Sequence, residues 1–152
     1  MLSEGKKAPE FSLRDQDDKL VSLSDFKGKN VVLYFYPKDD TTTCTKQACK
    51  FSDEFSAFKK LNAVILGVSA DSVASHKKFK NKFKLPFTLL SDEAKSVINK
   101  YDVWKEKSMY GRKYMGIERT TFIIDPAGKI KKIFNKVRVS NHNKEIQEAL
   151  KL

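Results

Sequence analysis

The chain has 152 residues, 30 of them lysine or arginine against 19 acids, for a formal charge of +11, with 40% hydrophobic and 32% charged residues. That length fits a single domain, residues 1–152, whose core needs no disulfide staples. No apolar run approaches the ~20 residues of a membrane span and residues 1–10 lack the apolar centre of a secretory signal, so a cytoplasmic, unprocessed protein is expected.

A basic chain invites a nucleic-acid reading. Its cations are mostly dispersed lysines, and the densest patch, Lys77, Lys78, Lys80, Lys82 and Lys84, surrounds Phe79 and Phe83. Two aromatics four apart mark a helix face turned to a core, with the lysines as its solvated side. No recognition motif accompanies them. Neither nucleic acid nor a membrane is expected as a partner.

Residues 11–13 and 20–23 flank a polar turn and predict an N-terminal β-hairpin. Residues 30–36, a β-branched and aromatic run stopped by Pro37, predict a central strand buried on both faces. After a polar loop at 39–43, Ala48, Phe51, Phe55, Phe58 and Leu61 recur at helical spacing and predict one helix over 44–61. Residues 63–68 read as a second buried strand, and Asp71 or Ser72 can cap a helix running to Phe83. Residues 87–90 form a short strand. Ser91 and Asp92 open another helix, with Ala94, Val97, Ile98 and Tyr101 on one side. Residues 120–124 and 130–134 are strands joined by the turn Asp125-Pro126-Ala127-Gly128. A closing helix follows Ser140 and Asn141, with Ile146, Ala149 and Leu150 inward. This alternation predicts an α/β fold, a mixed central β-sheet flanked by helices. Its order resembles the thioredoxin architecture.

The chain's two cysteines, Cys44 and Cys49, are too few for a secreted disulfide framework. His76 and His142 lie far from them in sequence, so no zinc site or other cofactor is expected, and neither histidine takes an assigned role. The alternatives are redox chemistry and two buried small hydrophobes. Open α/β sheets place their sites at the carboxyl ends of strands, and the loop after the first buried strand leads directly to Cys44. A cysteine in the first turn of a helix meets unpaired backbone N–H groups and the positive end of the helix dipole, which favour a thiolate. Asp39 and Asp40 oppose this if they turn inward, so a cationic partner is needed.

The pattern Pro37-x-x-x-Thr41-x-x-Cys44 resembles the active-site motif of peroxiredoxins, and Cys49 five residues on resembles the bacterioferritin comigratory (Q-type) subfamily. The similarity extends to Gly5-Lys6-Lys7-Ala8-Pro9-Glu10-Phe11-Ser12-Leu13, Tyr34-Phe35-Tyr36-Pro37, Phe87-Thr88-Leu89-Leu90-Ser91-Asp92, Val103-Trp104 and Arg119-Thr120-Thr121-Phe122-Ile123-Ile124-Asp125. The resemblance implies a thioredoxin-like fold and a thiol peroxidase acting on hydrogen peroxide and organic hydroperoxides. Cys44 is then the peroxidatic cysteine, Cys49 the resolving cysteine that forms an intramolecular disulfide with it, and thioredoxin or a similar dithiol the reductant. Thr41 matches the residue that bonds the thiolate and orients the peroxide, Arg119 the stabilising guanidinium, and Pro37 a shield against water. A monomer, or at most a weak dimer, is implied. Thr42 and Thr43 depart from the Pro-Gly that many relatives carry, which bears on loop shape and peroxide preference.

Three rival functions are weaker. A thiol–disulfide oxidoreductase uses Cys-x-x-Cys, and four residues intervene here. A nucleic-acid module rests on charge alone. A cysteine hydrolase needs a histidine base beside Cys44, and no motif places one there.

Overall fold

The computed structural model describes residues 2–152. In chain order its elements are β1 (Ser12–Asp15), β2 (Leu20–Ser22), β3 (Asn30–Phe35), α1 (Thr42–Asp53), α2 (Phe55–Lys60), β4 (Ala63–Ser69), α3 (Val73–Phe83), β5 (Thr88–Ser91), α4 (Ser96–Lys100), β6 (Trp104–Met109), β7 (Arg112–Ile117), β8 (Thr120–Ile124), β9 (Ile130–Phe134) and α5 (His142–Leu150). Seven strands form one sheet in the order β2-β1-β5-β4-β3-β8-β9. β3 and β5 run parallel to β4, while β8 pairs antiparallel with β3. The expected N-terminal hairpin is β1–β2, and β8–β9 closes the other edge.

Successive side chains of a strand point to opposite faces, and β3 thereby builds two cores. Val31, Leu33 and Phe35 pack with Leu66, Val68, Ile98, Tyr101 and Phe122 on one side. Val32, Tyr34 and Tyr36 pack on the other with Cys44, Ala48, Phe51, Phe58, Phe79 and Ile146. The helices carrying Cys44, Phe58, Phe79 and Ile146 thus share a face, while α4 covers the opposite one. Gly67 lies opposite Tyr34 in the parallel register. A Cβ there would come within 2.9 Å of the Tyr34 ring, so only glycine lets the ring lie across β4.

Three expectations are corrected and one is narrowed. The helix over 44–61 is broken at Glu54 (φ −107°, ψ 16°), whose carboxylate accepts from Asn143 Nδ2 at 2.6 Å and Gln147 Nε2 at 3.3 Å, tying the break to α5. Of the two caps expected for α3, Ser72 takes the position, its Oγ accepting from the Ser75 amide at 3.1 Å, and the Asp71 carboxylate serves the neighbouring loop. Ala94 precedes α4 and is exposed. Lys80 is not solvated with its neighbours: its Nζ donates to the carbonyls of Leu85 (2.8 Å) and Phe87 (2.6 Å), fixing the chain after α3. A further element was not expected. β6 and β7 form a separate two-stranded hairpin turning at Tyr110 (φ 52°) and Gly111 (φ 77°).

Candidate active site

The register of β8 against β3 creates the site. Phe35 pairs with Thr120, so Arg119, one residue earlier, arrives beside the carboxyl end of β3 where the loop to Cys44 begins. Thr41 is the N-cap of α1 in extended conformation (φ −85°, ψ 158°), and the Thr45 amide donates to its carbonyl at 2.8 Å to close the first turn. Cys44 is the third residue of that turn, where backbone N–H groups have no intrahelical acceptor. Its side chain is buried, at 2% exposure. Arg119 Nη2 donates to Cys44 Sγ at 3.3 Å, and Nη1 donates to Gln47 Oε1 at 2.5 Å. A guanidinium suits this double contact because its donors form a rigid planar fork with a fixed charge.

Gln47 was missed by the sequence reading. It is 1% exposed, lies one turn after Cys44 on the same face, and holds the guanidinium in place. Its Nε2 has no hydrogen-bond partner among the described residues. The available signal was a polar residue within the buried stripe Cys44, Gln47, Ala48, Phe51. Thr41 is exposed, and its hydroxyl donates to the Lys38 carbonyl at 3.0 Å, so its single proton is directed away from the thiol. Pro37 is half-buried at the end of β3. Thr42 and Thr43 occupy the exposed first two positions of α1.

Neither nearby carboxylate engages Cys44. Asp40 pairs with Lys82 at 2.8 Å on the surface. Asp39 is buried, and its carboxylate accepts from Tyr36 Oη (2.5 Å) and Ser75 Oγ (2.8 Å) and meets His76 Nδ1 at 2.7 Å. The other ring nitrogen of His76, Nε2, faces the Leu90 carbonyl at 2.9 Å, which can only accept. The Asp39 amide donates to Asp71 at 2.8 Å. This network pins the loop before Cys44 onto the start of α3. Asp39, Asp71 and His76 bring potential metal-ligand atoms within 4.8 Å, but each already serves a hydrogen bond in the network. His76→Leu, which removes one of three side-chain partners of the buried Asp39 carboxylate, should cost about 1–3 kcal/mol of stability. A urea midpoint close to wild type would show that the pair anchors nothing. His142, also buried, bonds Thr121 Oγ1 through Nε2 at 2.7 Å.

Cys49 lies half-buried on the same helix, and both thiols are free. Burial and, secondarily, Asp53 push the Cys49 thiol up from its ordinary range, so in the intact helix less of it is thiolate at neutral pH than for a free cysteine.

A buried cysteine at a helix N-terminus, held by an arginine that immediately precedes β8, suits an enzyme with a cysteine nucleophile. Comparison with known proteins gives the family. The AhpC/TSA family profile matches residues 5–133. The chain is 50% identical over 147 residues to peroxiredoxin Bcp of Bacillus subtilis, covering 97% of this chain and 94% of that one. It is 45% identical over 150 residues to peroxiredoxin Bcp of Escherichia coli, covering 99% and 96%. Among solved structures, a Cys-to-Ser mutant of Xylella fastidiosa PrxQ superposes with a TM-score of 0.94 at 35% identity over 99% of this chain and 96% of that one. Peroxiredoxin Q of Xanthomonas campestris does so at 0.88 and 40% over 93% and 89%. The chain belongs to the AhpC/TSA family and is a peroxiredoxin, a thiol-dependent peroxidase with the thioredoxin-like fold. No helix among the described residues is long and apolar enough to cross a membrane.

Proposed function

We propose that Cys44 is the peroxidatic and Cys49 the resolving cysteine of a single-domain enzyme spanning 1–152. The observation that carries this reading is the contact between Arg119 Nη2 and Cys44 Sγ at 3.3 Å. The Cys44 thiolate attacks one peroxide oxygen and the O–O bond breaks. The leaving hydroxide or alkoxide takes a proton, and the sulfur becomes a sulfenic acid. The Cys49 thiol then displaces water from that sulfur, forming the Cys44–Cys49 disulfide. A thioredoxin-type dithiol restores both thiols. Hydrogen peroxide and organic hydroperoxides are the substrates, and Xanthomonas campestris bacterioferritin comigratory protein, 37% identical, is described with alkyl peroxide reduction activity. No cofactor is required, because sulfur carries both electrons. Thr41 turns its hydroxyl from the Lys38 carbonyl toward the bound peroxide, and Pro37 limits water at the thiolate. The enzyme acts as a monomer, or at most a weak dimer, in the cytoplasm, where a redox-active cysteine pair can be returned to the dithiol.

Arg119→Met tests the assignment. Hydrogen bonds to charged groups are worth about 1.5–3 kcal/mol, so the second-order rate of Cys44 oxidation in stopped flow should fall roughly tenfold or more. Arg119→Lys should rescue only in part, because one ammonium cannot reproduce the fork that reaches Sγ and Gln47 together. An unchanged rate constant in Arg119→Met would make the arginine merely structural.

A further inference from the structure

The β6–β7 hairpin plays no part in the peroxide step described above. Six large hydrophobics are conspicuously exposed among the described residues, and four of them, Met109 (56%), Tyr110 (98%), Tyr114 (44%) and Met115 (50%), sit on this hairpin. Clustered exposure of this kind marks an interaction surface, whereas isolated exposed residues do not. The hairpin also carries four cations, Lys105, Lys107, Arg112 and Lys113, against the single acid Glu106. It forms its own two-stranded sheet outside the seven-stranded one. Strand β7 ends at Ile117, two residues before the arginine that touches Cys44.

Lys107 is set apart from the exposed cations of the hairpin, Arg112 and Lys113, by its burial. It is half-buried, its stem passes within 3.3 Å of where a Gly116 Cβ would stand, and it makes no ion pair or hydrogen bond among the described residues. Burial and then the Arg119 charge push its ammonium down from the usual lysine range, while Cys44 and Glu118 pull it up. An unpaired cation so placed suits a transient anion.

We propose that the β6–β7 hairpin is the docking surface for the protein dithiol that reduces the oxidised enzyme, a partner with an apolar patch and acidic rim around its reactive thiol. This rests on the reductant assigned above. Any such protein must bring its attacking sulfur into contact with the Cys44–Cys49 disulfide, so its surface must cover whatever adjoins that centre. Its thiolate attacks one sulfur of the disulfide and the other sulfur leaves as a thiolate that takes a proton. The partner's second thiol then breaks the mixed disulfide, and two electrons have moved to this enzyme. Negative charge is spread over the sulfurs at each exchange, and Arg119, which already donates to Cys44 Sγ, stands ready to offset it. The aromatic and methionine side chains supply the adaptable apolar contact of a transient interface.

Two double variants test this, Met109→Ser with Tyr110→Ser and Arg112→Glu with Lys113→Glu, each compared with wild type using thioredoxin and using dithiothreitol as reductant. Stopped-flow oxidation of Cys44 and turnover with dithiothreitol should be unchanged in both. The KM for thioredoxin should rise about tenfold at constant kcat, the size of a 1.4 kcal/mol loss. The charge variant should also lose the decline of kcat/KM with added salt. An unchanged thioredoxin KM in both variants overturns the hairpin assignment. So does a wild-type dimer that the variants dissociate, which would make this a self-association surface, or DNA binding at physiological salt that the charge variant abolishes. If wild type is reduced by dithiothreitol but not by thioredoxin, the reductant assignment itself falls.

Discussion

Cys44→Ser should consume no peroxide above the uncatalysed background, a loss on the order of a million-fold, while keeping its fold. The two side chains differ by one atom in a buried site, so packing against the β3 face is nearly preserved. The chemistry is not. A serine hydroxyl stays protonated at neutral pH, and one arginine beside it cannot supply the missing nucleophile. A thiolate needs no general base, and the site offers none: the buried histidine nearest in chemistry, His76, is committed to Asp39 and the Leu90 carbonyl. The check is peroxide consumption with dithiothreitol as reductant, together with circular dichroism and a thermal melt. Folded Cys44→Ser protein that turns over peroxide at the wild-type rate would sink the whole site assignment.

How much of this was legible in sequence follows from the range of each interaction. Strands 30–36 and 63–68 were readable because burial on both faces leaves near-continuous apolar runs, and strands 120–124 and 130–134 because the turn at Asp125–Gly128 is written in local backbone chemistry. The helix break at Glu54 was not, since its cause lies in Asn143 and Gln147, far along the chain. The β6–β7 hairpin was invisible for another reason. Most of its residues are exposed on both faces, so it has no alternation to read, and its only mark is the glycine after Tyr110. At the site, Cys44 could be placed from its loop and helix start. Arg119 could be proposed only through family resemblance, because strand register, not spacing, brings it 75 residues back to the thiol. Gln47 had a local signal, a polar side chain on a buried stripe. Asp39 and Asp40 looked like liabilities for a thiolate, yet His76 and Lys82 turn them elsewhere.

Oxidation to the Cys44–Cys49 disulfide should melt the start of α1, raising amide exchange across residues 41–55 on the order of a hundredfold. Both cysteines belong to the single helix α1, five positions apart. At 1.5 Å and 100° per residue on a radius of about 2.3 Å, their Cα atoms lie roughly 8.5 Å apart and their side chains point about 140° away from each other. A disulfide needs Cα atoms within about 4.4–6.8 Å and converging Cβ directions, so it cannot close in an intact helix. Where the melting stops is set by what holds each end. Upstream, Asp39 is clamped to His76, Ser75 and Tyr36. Downstream, Phe51 is fully buried, its ring centroid 4.8 Å from that of Tyr34 and 5.6 Å from that of Phe58, and exposing such a side chain costs about 1.5–3 kcal/mol. Exchange should therefore rise most between these anchors, over 42–50, and least in α3. Unwinding also releases the Cys49 thiol from the burial that pushes it up, so one motion supplies the geometry and eases formation of the attacking thiolate. Cys49→Ser should oxidise once at Cys44, then stall as a sulfenic acid or over-oxidise with α1 still protected. Equal amide protection of α1 in the reduced protein and in the verified intramolecular disulfide would defeat the switch.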